Sequence, residues 1–395
     1  MATTDFGIKF IDGFEEYQNV GWTLTGTAPT YSSSKSYGGN LATAWTSDSG
    51  SLSVEFGTFA SNATGDPQYS LLIDVLIETA PNGGVWSFAG FGAGTTNTVL
   101  CNITSDLKPQ LEIPEATITV TGSDALALET WYQVCLWGTA GTSTNAATTL
   151  KIRRKDATGT LLETITGAPN LATHRSTEFA LAGRLAGAAG KIWLDNYVGA
   201  GGDNGAVPTE LFGLVNKGTH MVGTLIPNGA GYQNEWTTPA TYAAIDDWAT
   251  GVAATDGPIA IDVDLNETAS WAMTGAAAGV DSIYGIMLCD AVHYVNATTQ
   301  FKLGYGMGGA DYALQASTNA ASATSLVYHA PMDSFFATDV VSSDNWAFSA
   351  IANIEGAVKL TFVNASNAQL CLAALGLRYI GSLVTGGASF GYILG

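Results

Sequence analysis

Charge is scarce in this chain, and positive charge is scarcest. Asp, Glu, Lys and Arg make up 12% of the 395 residues, about half the ~25% usual in soluble domains. Lys and Arg number 14 against 34 Asp and Glu, a net charge of −20. A body of that sign repels a phosphate backbone, which argues against nucleic acid as a partner. Helical periodicity is nearly absent, because the abundant alanine sits among Gly, Ser and Thr, as in Gly138–Thr149 and Ala316–Ser325. Cysteine is sparse. Cys101, Cys135, Cys289 and Cys371 are widely spaced, with no C-x-x-C and no Cys/His grouping of the zinc-site kind, so buried free thiols are expected. No long apolar run offers a membrane span: the most apolar stretch, Cys371–Gly395, is broken by Arg378 and by Gly and Ser. The first residues, Met1-Ala2-Thr3-Thr4-Asp5, carry neither the basic nor the apolar region of a signal peptide. The expectation is a chain made in a cytoplasm, without membrane insertion.

What the chain does have is strand material. Tyr69–Ile77, Gly84–Phe91, Trp131–Trp137 and Thr149–Arg154 are short runs rich in β-branched and aromatic residues, bounded by Gly, Pro, Asn or Asp. After Lys191–Val198 comes the glycine-rich stretch Gly199–Pro208, and then a second series: Met221–Ile226, Pro258–Leu265, Ser282–Cys289, Gln300–Tyr305, Trp346–Ile351 and Ala357–Val363. Many short strands with Gly-rich turns predict an all-β protein of two antiparallel β-sandwiches in tandem. The expected division is a sandwich over 1–200, a linker over 201–210, a second sandwich over 211–380 and an apolar tail over 381–395.

Candidate chemistry is thin. Asp262 and Asp264 share one strand face, with Glu267 just beyond, and two carboxylates across a sugar could act as nucleophile and acid. The alternating Ile261, Val263 and Leu265 beneath them favour a solvent face instead. His174, His220, His293 and His329 form no i, i+4 pair, so isolated core or surface histidines are expected. The basic cluster Lys151-Ile-Arg153-Arg154-Lys155 lies at a strand end before a turn, and a solvated hairpin end is expected there. Gly90-Phe-Gly92-Ala-Gly94 lacks the spacing of a phosphate loop. Trp22, Tyr31, Tyr37 and Trp45, beside Gly38-Gly39, could form a sugar-stacking platform, the competing role being core packing. No catalytic residue, metal site or cofactor is expected.

Two sets of residues carry a resemblance. Phe10-Ile-Asp-Gly-Phe-Glu-Glu-Tyr17, Ser36-Tyr-Gly-Gly-Asn40, Trp131-Tyr132 and Lys191–Asn196 resemble the layout of concanavalin A-like (laminin-G-like) jelly-roll sandwiches. Leu225–Gly231, Glu235-Trp-Thr237, Tyr242 and Ile245-Asp-Asp247, with the later Trp346 and Gly356–Lys359, resemble the second β-domain that follows such a sandwich in structural proteins of tailed bacteriophages. The resemblance implies a non-enzymatic virion protein on the particle exterior: a capsid decoration or head-fibre protein, or a tail-associated accessory. A carbohydrate-binding adhesion module that recognises a cell-surface glycan is the alternative. Other capsid or tail proteins are the implied partners. Self-association is expected through the apolar tail residues Phe390, Tyr392, Ile393 and Leu394, and phage fibres and decoration proteins make a trimer the first expectation.

Overall fold

The computed structural model describes residues 7–15, 20–37, 41–46, 49–58, 68–93, 96–139, 148–156, 158–167, 177–187, 189–202, 220–235, 259–262, 268–274, 280–294, 299–307, 312–320, 327–330, 335–336, 353–363 and 369–383. Among them there is no α-helix, and four antiparallel sheets carry the fold. The chain is an all-β protein. It divides into two compact units. One holds the described residues up to Asp12 and from Trp22 to Met221, the other Gly13–Gly21 and Val222–Val384.

The first unit is two sheets. An eight-stranded sheet runs β13 (Leu161–Gly167), β12 (Thr148–Arg154), β11 (Trp131–Thr139), β6 (Gln68–Thr79), β15 (Lys191–Gly202), β4 (Ala42–Thr46) and β3 (Thr30–Ser32), with β1 (Gly7–Asp12) also on β15. A seven-stranded sheet runs β10 (Ile118–Thr121), β9 (Pro109–Ile113), β8 (Thr96–Thr104), β7 (Val85–Ala93), β14 (Thr177–Gly187), β5 (Ser51–Thr58) and β2 (Thr23–Thr25). The core between them is built by alternation along β6. Tyr69, Leu71, Ile73, Val75 and Ile77 lie on one face, and the Tyr69 ring meets Phe91 of the facing sheet at 4.3 Å. Trp45 fills the same layer. Its ring lies where a Cβ on Gly183 would come within 2.5 Å, and Gly183 itself has φ +101°, so glycine is required twice over.

The second face of β6 is buried as well: Ser70, Leu72, Asp74 and Leu76 are all at most 1% exposed. A strand covered on both faces reads as a continuous apolar run, which is why Leu71-Leu-Ile-Asp-Val-Leu-Ile77 shows so little polar alternation.

The second unit repeats the two-sheet plan. One sheet runs β16 (His220–Leu225), β27 (Gln369–Leu383), β20 (Val280–Tyr294) and β24 (Val327–His329), with β18 (Ile259–Asp262) on β27 and β25 (Phe335–Phe336) on β20. The other runs β17 (Pro227–Asn234), β19 (Thr268–Met273), β26 (Glu355–Val363), β21 (Thr299–Gly306) and β22 (Tyr312–Leu314), with β23 (Asn319–Ala320) on β21. Tyr305 and Phe336 cross between them edge to face at 4.9 Å. Gly356 lets Leu375 approach, since a Cβ there would sit 3.0 Å from it. Within this unit the fully buried Arg378 donates to the Val20 carbonyl at 3.2 Å, so the early segment belongs to the second unit's packing.

Two sequence expectations change at this level. Gly201 and Gly202, the start of the expected linker over 201–210, are the end of β15, with Gly201 opposite both Gly7 and Tyr69. Glycine is tolerated there because neighbouring strands on both sides supply the hydrogen bonds. The cluster Lys151–Lys155, read as a solvated hairpin end, is largely covered. Arg154 is exposed, but Arg153 is 6% and Lys155 4% exposed.

Candidate functional site: a closed polar cluster on the first sandwich

Register assembles the site. Arg153 of β12 lies opposite Gln133 of β11, Gln133 opposite Asp74 of β6, and Asp74 opposite Asp195 of β15. Four polar side chains thus form one row across four strands, on the sheet face turned away from the other sheet. Just past β12, Lys155 places Nζ in contact with Asp74 Oδ2, both side chains being fully buried. A bulge in β15 after Asp195 brings in Asn196, at φ 51°, a left-handed conformation that Asn accepts more readily than most residues.

The donors and acceptors then close on one another. Arg153 Nε donates to Gln133 Oε1 at 2.6 Å, and the Gln133 amide meets His220 Nδ1. His220 Nε2 faces the Asn196 carbonyl at 3.4 Å. Lys155 Nζ donates to the His220 carbonyl at 2.7 Å and lies 4.5 Å from the Tyr37 ring centre. Asn196 Nδ2 donates to Asp74 Oδ2 at 2.7 Å and to the Tyr37 carbonyl at 3.1 Å. Asp195 accepts from the Tyr37 and Asn196 amides at 2.8 and 2.7 Å. One position is open: Asp74 Oδ1 is buried with no hydrogen-bond partner among the described residues.

Burial dominates the electrostatics. Desolvation holds the Lys155 amine well below the usual lysine range and His220 well below its own, the latter with help from Lys155. The Asp195 carboxyl is pushed up to about 8 by burial, against the opposing pull of the Tyr37 amide and Lys155. Burial thus shifts Lys155 and His220 towards their neutral forms and keeps the Asp195 acid protonated up to about 8.

Sequence reasoning missed Asp74, Lys155, Asp195 and His220 as a group. The available signal was the polar residue set in each of three apolar strands: Asp74, Gln133 and Asp195. What periodicity could not supply was the register that aligns them.

The proposed sugar platform is not assembled. Trp45 is fully buried under Gly183, and Trp22 is 8% exposed, packed on Phe10 and Tyr197 with its Nε1 donating to Asp12. Tyr31 lies on β3, half-buried, and Tyr37 packs against Trp131 at 6.2 Å. Their indole and phenol rings serve the core and the cluster rather than a common exposed face. Asp262 ends β18, opposite Gln369; Asp264 and Glu267 lie outside the described residues, as do Phe390, Tyr392, Ile393 and Leu394. Cys101, Cys135 and Cys289 are buried and form no disulfide among the described residues. Among the described residues no group of three His, Cys, Asp or Glu could hold a metal ion, and no helix is long and apolar enough to cross a membrane.

No family model matches the chain, and no curated protein matches it. Solved structures do. An endo-β-1,4-glucuronan lyase from the fungus Trichoderma reesei is 10% identical with a TM-score of 0.31, over 50% of this chain and 95% of the lyase. Trypanosoma rangeli sialidase is 14% identical with a TM-score of 0.31, over 49% of this chain and 30% of the sialidase. Alginate lyase Aly36B is 14% identical with a TM-score of 0.30, over 40% of this chain and 80% of the lyase. The expectation that the chain is not an enzyme is corrected on this finding, since these matched structures are enzymes that act on glycans.

Proposed function

We propose that the chain is a structural protein of the exterior of a tailed-phage virion, in contact with other capsid or tail proteins and associated with further copies of itself. The observation that carries this reading is the construction of the first sandwich. Its buried cluster of ionisable groups is sealed under the sheet surface and bonded to itself, as a brace within a rigid module would be. The strongly acidic body and its low charge density fit an outward-facing position away from packaged nucleic acid. The phage-like order of motifs along the chain points the same way.

The test is location. Particles purified from cells producing the protein should contain it at a fixed copy number. An antibody raised against the chain should label intact particles. Absence from purified particles, or labelling only after disruption, would overturn the reading. A glycan array on the same protein separates pure scaffolding from adhesion: specific retention of one glycan class would favour the adhesion role on the same surface.

A further inference from the structure

We propose that Lys155 and Asp74 become joined by an isopeptide bond between Lys155 Nζ and Asp74 Cγ. Both side chains are fully buried and in contact, and they come from segments that the fold alone brings together. The two carboxylate oxygens are unlike. Oδ2 touches the amine and is held by Asn196 Nδ2 at 2.7 Å, whereas Oδ1 is buried and has no hydrogen-bond partner among the described residues. The Tyr37 ring, 4.5 Å from Nζ, walls one side of the amine. The other titratable groups in the cluster are Asp195, His220 and Arg153.

A buried ion pair is a costly arrangement, because each charge loses its hydration. Transfer of one proton from ammonium to carboxylate removes both charges, and burial favours that neutral form of Lys155. A neutral lysine amine is a competent nucleophile. Groups held in contact by a folded scaffold react with effective molarities on the order of 10⁵–10⁸ M. The balance is simple. The nitrogen lone pair attacks Cγ and the N–C bond forms. The Cγ–Oδ1 bond breaks, and Oδ1 leaves as water, taking the carboxyl proton and one amine proton. Oδ2 remains as the amide carbonyl, still accepting from Asn196. No oxidant, metal or cofactor takes part.

Intact-mass measurement of the purified full-length chain in denaturant tests this. The expected mass is that of the sequence less one water. A tryptic digest should then contain a branched peptide joining Lys155 to the segment bearing Asp74, and Lys155→Met and Asp74→Ala should each restore the full mass. The measurement on the unaltered chain decides even where a variant fails to fold. Full mass with an unlinked Lys155 would overturn the proposal. So would loss of ammonia in place of water, which would assign the bond to Asn196.

Discussion

Asp195 shows how far a single side chain can depart from what its identity suggests. Its carboxyl is fully buried and pushed up to about 8, whereas in an unfolded chain it would lose its proton near 3.8. The folded state therefore holds a proton that the unfolded state releases. The stability from that proton is complete below about pH 4 and is lost as pH rises towards about 8. Lys155 and His220, both depressed, slope the opposite way, so the Asp195 contribution is best read as a difference. Relative to Asp195→Asn, the unaltered protein should lose stability between pH 4 and pH 8 by up to ~1.4 kcal/mol per pH unit, measured by urea denaturation. Equal slopes for the two proteins would contradict this. Gly183 offers a second residue-scale test. Gly183→Ala must adopt φ +101° and meet the Trp45 ring at 2.5 Å. A loss of about 2–4 kcal/mol is expected in thermal or denaturant melts. At this scale the sequence was least informative. Lys155 ended a basic run before a turn, the usual setting of a solvated lysine, and nothing local marked its burial. His220 looked equally isolated, because its partners Gln133 and Lys155 lie 87 and 65 residues away.

Elements were far more legible. Tyr69–Ile77 was visible within β6, Trp131–Trp137 within β11 and Thr149–Arg154 within β12, because β-branched and aromatic runs between turn residues mark strands without knowledge of their partners. The failures occurred where composition and pairing disagreed. Gly199–Gly202 has the makeup of a linker, yet those residues continue β15 between β1 and β6. Amide hydrogen exchange should show the backbone from Val198 to Gly201 protected on the time scale of the β6 core. Exchange at rates typical of an open loop would show that pairing to be absent. Proteolysis should accordingly spare these residues, despite their four-residue run of Gly and Ala.

At the scale of the molecule, where the chain divides into two compact units, sequence composition predicted the all-β class that the four antiparallel sheets show. It did not reveal that the second unit takes in Gly13–Gly21, because a nine-residue excursion has no compositional signature. Two observations fix it: the Arg378 bond to the Val20 carbonyl, and the close approach of Gly13 to the Val222 carbonyl, which a Cβ would meet at 2.2 Å. Removing the residues before Trp22 should therefore weaken both units, the first through loss of β1 and the second through loss of the Val20 carbonyl to which Arg378 donates. A hydrogen bond from a charged donor contributes about 1.5–3 kcal/mol. Proteolysis-monitored melts that follow a fragment of each unit should show both midpoints falling. A shift confined to the first unit would argue against the excursion.

The pairing of Gly7 with Gly201 also bears on how the chain is made. A ribosome adds roughly 5–20 residues per second, so β1 waits about 10–40 s after leaving the exit tunnel before β15 exists to receive it. Val20 waits longer still for Arg378. During that interval the emerging first strand, with Phe10 and Ile11 that will later be fully buried, is an unpaired edge in a crowded compartment. Nascent-chain arrest before residue 202 should leave it open to chaperones, and arrest well beyond that point should not.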